Sequence, residues 1–142
     1  MAKIERFEDL EIWIIAREVC NDIWNIIENT PLQKDYKLKE QINGSSGSIM
    51  NNISEGFERG GNRAFYQFLS VSKASCAETR SQLYRCLDRK YIDDETFKAL
   101  SEKTLLINKK ISLFMTYLKI RIEKVLSMTR KTFNLQPWNN DK

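Results

Sequence analysis

The sequence contains no histidine, and its three cysteines include no Cys-x-x-Cys pair. Because zinc sites in proteins are built mainly from cysteine and histidine, these absences argue against a zinc site. They also remove Ser-His and Cys-His nucleophiles, and the Glu-x-x-His elements that hold di-iron centres in helical bundles. No lysine-based nucleophile is visible, so we expect a protein that is not an enzyme and uses no metal or other cofactor. Cys20, Cys76 and Cys86 each fall within a helical pattern, so we expect small buried thiols.

Long apolar runs and turn-forming residues are also scarce. No apolar stretch approaches the ~18 residues of a membrane-spanning helix. The first residues, MAKIERFEDLE, place acids where a signal peptide requires a basic flank and an apolar stretch. Proline occurs twice and glycine five times in a chain that is 30% charged. We therefore expect one soluble, cytoplasmic helical domain with no membrane contact.

Charge is unevenly distributed along the chain, whose net charge is +4. Residues 1–31 hold three basic and seven acidic residues, whereas residues 97–131 hold nine basic and two acidic ones. This asymmetry is compatible with nucleic-acid contact, and equally with self-association between unlike surfaces.

Hydrophobic periodicity predicts four long helices joined by short loops. Asn62 is predicted to cap the third helix, and Asp93 or Asp94 the fourth. Such a pattern indicates an all-α fold, an antiparallel up-down-up-down four-helix bundle of residues 1–130, with residues 131–142 as a flexible tail. The predicted helices cover about residues 8–29, 35–57, 63–89 and 94–130.

The first predicted helix carries more apolar surface than one packing face requires. Its apolar arc covers about half of the circumference, whereas an arc of ~100° or slightly more is typical. The tryptophans on its edge could stack on bases, but we favour an interface or core role for them. The oligomer-interface candidates are Trp13, Cys20 and Trp24.

The second predicted helix contains NGSSGS (residues 43–48), a composition typical of loops. The spacing of Ile42, Ile49 and Ile53 nonetheless continues through this stretch. A Walker phosphate loop does not fit because the lysine and the preceding strand are missing, and a linker would not keep the isoleucine spacing. Since a helical glycine costs ~1 kcal/mol relative to alanine, we hypothesise that Gly44–Ser48 is helical and that its small residues let a neighbouring helix approach closely.

Short motifs over about residues 7–120 occur in the order and spacing of one protein family. They read Phe7-x-x-Leu10-x-Ile12-Trp13-x-x-Ala16, Leu38-x-x-Gln41-Ile42, Ser48-Ile49-x-x-Asn52-Ile53-x-Glu55-Gly56, Arg59, Phe65-x-x-Phe68-Leu69, Ser75-x-x-Glu78 and Tyr91-Ile92. Through these motifs the chain resembles the four-helix-bundle proteins encoded by intervening sequences in bacterial 23S rRNA genes, the S23 family.

This resemblance implies an up-down bundle that assembles as a closed homopentameric ring. Similar proteins include the accessory proteins of diversity-generating retroelements, basic pentamers that bind nucleic acid and a reverse transcriptase. The partners implied are therefore other copies of the chain, RNA or DNA, and a reverse transcriptase.

The chain departs from the family pattern at three places. Asn43-Gly44-Ser45-Ser46 stands where members often have Arg-Arg-Ala-Ala, so a basic pair is absent from the second helix. Met50 stands where proline is common. Lys90 stands where a glycine usually ends the third helix.

Two carboxylates, Glu55 and Glu78, are the best candidates for fixed contacts. Acid–base chemistry by the pair would need a substrate cleft, which no other feature of the sequence indicates. We therefore interpret them as part of a polar network between the second and third helices, with Arg59 or Arg80 as a charge partner. The predicted network consists of Asn52, Glu55, Arg59, Ser75 and Glu78.

Basic side chains supply the candidate nucleic-acid contacts. Together with those of the fourth helix they could neutralise phosphates, or they could form an ordinary solvated face. The favoured function is a non-enzymatic oligomeric scaffold that binds nucleic acid, with structured RNA as the favoured ligand. The alternative is a scaffold for a protein such as a reverse transcriptase, without a nucleic-acid role of its own. The candidate contacts are Arg59, Arg63, Lys73, Arg80, Arg85, Arg89 and Lys90.

Overall fold

Four α-helices make up the fold in the computed structural model, which describes residues 3–134. No strand occurs in that range, so the predicted all-α class is confirmed. Two short 3-10 helices, at Phe7–Asp9 and Pro31–Lys34, precede the first and second α-helices. The α-helices are α1 (Glu11–Asn29), α2 (Tyr36–Glu58), α3 (Asn62–Asp88) and α4 (Asp94–Asn134).

Ion pairs show that α1 and α4 pack antiparallel. Lys110 Nζ lies 2.8 Å from Glu11 Oε1 near the start of α1. Lys103 Nζ, two turns earlier in α4, lies 2.7 Å from Asp22 Oδ2, three turns later in α1. Part of the charge asymmetry in the sequence is therefore neutralised within one chain, by acidic α1 against basic α4.

The Gly44–Ser48 stretch lies in the middle of α2, so its predicted helical state is confirmed. The proposed reason for its glycines is wrong. A β-carbon added at Gly44 or Gly47 would meet no atom within 4 Å, because neither glycine touches a neighbouring helix. The small residues that are buried in this stretch are Ser45 and Ser46.

The closest glycine contact between helices lies more than two turns further along α2, at Gly56. A β-carbon there would lie 2.6 Å from Cβ of Phe68 and 3.0 Å from Cδ1 of Phe65, both on α3. Neither distance leaves room for a side chain, so Gly56 is the position in α2 that requires glycine for packing.

The helix ends agree only in part with the sequence predictions. The Asp93 carboxylate accepts from the Thr96 backbone N–H at 2.8 Å and caps α4, as predicted. Asn62 is not a cap: it is the first residue of α3, whose N-cap is Gly61. Lys90 follows α3 with φ 60°, a left-handed conformation that favours glycine.

The last helix is longer than predicted. It continues to Asn134, so residues 131–134 of the predicted tail are helical, and residues 135–142 lie outside the described part of the chain. The last buried residue of α4 is Leu118. Within residues 3–134, no helix has both the length and the hydropathy needed to span a bilayer.

Candidate nucleic-acid interface

The five residues of the predicted polar network do not form a single network in the structure. Arg59 and Glu55 form an exposed ion pair of 3.2 Å, one turn apart at the end of α2. Glu78 is exposed on α3 and makes no hydrogen bond or ion pair with any residue the structure describes. These charged groups therefore do not join α2 to α3.

The other two predicted members, Asn52 and Ser75, are joined through Ser48. Asn52 Nδ2 donates to Ser48 Oγ at 2.9 Å, and Ser75 Oγ donates to the same oxygen at 2.8 Å. Neutral hydroxyl and amide groups, rather than carboxylates, thus make this bridge between α2 and α3.

A second polar bridge was missed by the sequence reasoning. Ser45 Oγ donates to Gln82 Oε1 at 2.6 Å and lies 2.9 Å from Thr79 Oγ1, and all three side chains are buried. Every buried side-chain nitrogen and oxygen among the described residues has a hydrogen-bond partner. The small polar residues Ser72, Ser75 and Thr79, spaced by three and four, were the available signal.

Two of the predicted nucleic-acid contacts hold α3 against α2. The Arg85 guanidinium donates to Gln41 Oε1 at 2.8 Å, and Arg89 pairs with the Asp35 carboxylate. The Tyr91 hydroxyl donates to Asp35 at 2.9 Å. This bond, followed by the Leu38 backbone N–H and then by Arg89, holds the pKa of the Asp35 carboxyl below its usual value.

The remaining candidates differ in pairing and in exposure. Arg59 is already paired with Glu55, whereas Arg63, Lys73 and Lys90 are exposed. Arg80 is half-buried, one heptad from Lys73 along α3. None of the ion pairs among residues 3–134 involves Arg63, Lys73, Arg80 or Lys90.

The thiols are shielded rather than activated. Burial raises the pKa of Cys76 to about 12 and that of Cys86 to about 11, which leaves almost no nucleophilic thiolate at neutral pH. Burial also raises the pKa of Cys20, whose S–H donates to the Ser46 carbonyl at 3.2 Å. Within residues 3–134, no three acidic or cysteine side chains gather where they could share a metal ion.

The oligomer-interface candidates differ in exposure. Trp13 is half-buried and packs edge-on against Phe7, with ring centroids 5.1 Å apart. Cys20 is half-buried as well, whereas Trp24 is 46% exposed. Of the three predicted residues, Trp24 is therefore the one that offers free apolar surface.

A longer apolar surface lies on the outer side of α4. Its side chains follow each other at steps of seven, four and three, which places them along one side of the helix. Sequence reasoning missed this row because it attended to the core-facing seam of the same helix. The row, called the α4 apolar row, consists of Leu106, Leu113, Tyr117 and Ile120, all about half exposed.

The end of α4 forms a separate basic element, residues 119–134, which we call the α4 arm. All of its residues except Ile122 are exposed. At 1.5 Å per residue it is about 24 Å long. Its basic residues are Lys119, Arg121, Lys124, Arg130 and Lys131, and its acidic residue is Glu123.

Comparison with known proteins identifies the family of this chain. The family model described as 23S rRNA-intervening sequence protein matches residues 8–113. The chain belongs to this family. No curated protein sequence matches this intervening-sequence family member.

A solved structure supports the fold of this intervening-sequence protein. It is a protein with unknown function from the S23 ribosomal protein family of Bacteroides thetaiotaomicron. The two folds superpose with a TM-score of 0.67 at 23% sequence identity, over 73% of this chain and 97% of the other. The match to the family model ends at residue 113, so the α4 arm lies beyond it.

Proposed function

We propose that this protein is a non-enzymatic, oligomeric helical scaffold that binds structured RNA through phosphate contacts. The observation that carries the proposal is the set of exposed cations on α3 and α4 that have no ion-pair partner within the described chain. Unpaired surface cations on a rigid helix can contact phosphates without reading the base sequence. We place this role in the cytoplasm.

The α4 apolar row and Trp24 support the oligomeric part of the proposal. Exposed apolar rows at heptad spacing are typical of helix faces that pack on another helix. Contacts between unlike surfaces of identical subunits generate a ring when the rotation closes. A ring, with the five subunits that the sequence resemblance implies, would repeat each basic surface around one axis.

The proposal is tested by titrating wild-type protein into a fluorescently labelled RNA hairpin at several salt concentrations. We expect binding that is broad in sequence and weakens steeply with salt, by a log–log slope of about −0.7 to −0.9 for each phosphate contact. A hairpin with a scrambled sequence serves as the control and should bind equally well. Absence of binding even at low salt would contradict the proposal.

A protein-partner scaffold is the second candidate, and the α4 apolar row is the observation that favours it. Four half-exposed apolar side chains along one line fit a protein surface better than a phosphate backbone. Calorimetric titration with a purified reverse transcriptase tests this function, with Leu113→Ser plus Tyr117→Ser as the variant that should lose binding. Unchanged binding by that variant would argue against the α4 apolar row as the contact.

A further inference from the structure

The net charge of the molecule resides in the α4 arm. Residues 119–134 hold five basic residues and one acidic residue, whereas residues 1–118 hold seventeen of each. The bundle is therefore neutral overall, and the arm carries a charge equal to the +4 of the whole chain. A polyanion approaching the molecule is attracted chiefly by the arm.

The bundle and the α4 arm differ in whether their basic residues form ion pairs within the described chain. Lys103 and Lys110, on the α4 segment beside α1, pair with Asp22 and Glu11 at 2.7 and 2.8 Å. None of the ion pairs among residues 3–134 involves a basic residue of the arm. The Arg121 guanidinium lies over the Tyr117 ring, 5.6 Å from its centroid, whereas the exposed Lys119, Lys124, Arg130 and Lys131 are accessible to an external anion.

The arm has two faces of different character. Ile122, Val125 and Leu126 line a groove together with Asn62 and Arg63 of the first turn of α3. Helical spacing places Lys124 and Lys131, seven residues apart, on the side opposite that groove. Lys124 and Lys131 therefore point away from the bundle, whereas Lys119 and Arg130, seven residues before and four after Leu126, lie beside the groove and are also exposed.

We propose that the α4 arm is the principal nucleic-acid-contacting element of this protein, binding the phosphates of RNA through Lys119, Lys124, Arg130 and Lys131. This inference rests on the proposed RNA-binding function and assigns it to a segment other than the α3 candidates. Four contacts on each arm, repeated by an oligomer, give a strongly salt-dependent interaction.

An anionic membrane surface is the competing partner for a basic amphipathic helix. Membrane binding requires the apolar side of the helix to enter the lipid interface. In this structure the first half of that side, from Ile122 to Leu126, lines a groove with the first turn of α3, and this neighbour limits how deeply the side can enter a flat lipid surface. Lys124 and Lys131 have no such obstruction, and the exposed Lys119 and Arg130 flank the groove, which favours a phosphate backbone.

Two charge-matched variants test the assignment. The arm variant carries Lys119→Gln, Lys124→Gln, Arg130→Gln and Lys131→Gln. The α3 variant carries Arg63→Gln, Lys73→Gln, Arg80→Gln and Lys90→Asn, which remove the same number of charges from side chains without ion pairs. Circular dichroism and thermal unfolding establish that both remain folded, and both are titrated into the labelled RNA hairpin across salt concentrations.

We expect the arm variant to bind more weakly and to reduce the log–log salt slope by about 3, whereas the α3 variant retains most of the wild-type slope. Equal binding by wild type and arm variant, with loss in the α3 variant, would overturn the assignment while RNA binding itself survives. Sedimentation with phosphatidylserine vesicles, in the absence of RNA affinity, would overturn both the assignment and the proposed function.

Discussion

At the scale of single residues, glycines of similar sequence context differ in what they do for the fold. Gly44 and Gly47 have open space where a side chain would be, whereas Gly56 has the Phe68 side chain 2.6 Å from its missing β-carbon. Composition alone cannot distinguish them, because the difference lies in what α3 places opposite each position.

Paired alanine substitutions test this difference. Gly44→Ala should raise the free energy of unfolding by about 1 kcal/mol, since it improves helix propensity and meets no neighbour. Gly56→Ala should lower it by about 1 to 3 kcal/mol, because the added methyl group forces Phe65 and Phe68 to move. Chemical denaturation of both variants measures the two effects, and a stabilising Gly56→Ala would contradict the close packing.

Asp35 predicts a dependence of stability on acid pH. Its pKa is lowered in the folded state by the Tyr91 hydroxyl and by Arg89, so its contribution is present above the ordinary carboxyl pKa of about 4. That contribution is lost as the pH falls through the lowered folded-state value. Asp35→Asn should therefore destabilise the protein at neutral pH and flatten the loss of stability below about pH 4.

Denaturation midpoints between pH 2 and pH 7 measure this effect, with Asp88→Asn as the control for an exposed carboxylate at the end of α3. Identical pH profiles for wild type and Asp35→Asn would show that the Asp35 contacts do not contribute to stability.

At the scale of helices, hydrophobic periodicity was sufficient to predict the four α-helices. The spacing of Ile42, Ile49 and Ile53 predicts α2 through an unhelical composition because burial on one face outweighs a few unfavourable residues. The hydrogen-bond partners of the polar side chains could not be predicted from periodicity. Glu55 and Glu78 were expected to join α2 and α3, but Ser48 and Ser75 do so, since register and rotation of packed helices decide which side chains meet.

The basic residues of the α4 arm could be counted from the sequence, but their position beyond the end of the bundle could not be predicted from it. The excess of basic residues in 97–131 is visible in the composition, yet it divides into lysines beside α1, such as Lys103, and the cations of the arm. That division depends on where the bundle ends, and this is set by the lengths of α1 and α3 rather than by α4 itself.

Truncation tests the independence of the α4 arm. The free energy of unfolding of a chain that ends after Lys119 should lie within about 0.5 kcal/mol of the wild-type value, because residues 120–134 are exposed apart from Ile122. A chain that ends after Lys110 serves as the control and should lose several kcal/mol, since it removes buried Ile111 and Leu118. Marked destabilisation by the shorter deletion would show that the arm packs on the bundle.

At the scale of the whole molecule, the structure changes the interpretation of the uneven charge distribution along the sequence. The acidic first helix and the basic fourth helix were expected to suit contacts between copies, but they also pair inside one chain through Lys103 and Lys110. We therefore expect an interface between copies to depend more on apolar surface than on charge.

Light scattering tests the assembly at this scale. At micromolar concentration we expect the mass of several protomers, five for a closed ring, because the α4 apolar row needs a covering surface. Leu113→Ser plus Tyr117→Ser should shift the mass towards the monomer without loss of helical circular dichroism. Tyr36→Ser, which changes an exposed aromatic residue on α2, should leave the mass unchanged. A monomeric wild type would contradict the oligomeric scaffold.

The most direct measurement of the central claim, an RNA-binding scaffold that acts through the α4 arm, is lysine footprinting by acetylation and mass spectrometry, with and without bound RNA. The account predicts that RNA protects Lys119, Lys124 and Lys131. Lys34 and Lys37, exposed at the opposite end of the bundle, should react at the same rate in both samples. Unchanged acetylation of the three arm lysines in a saturated RNA complex would contradict the account.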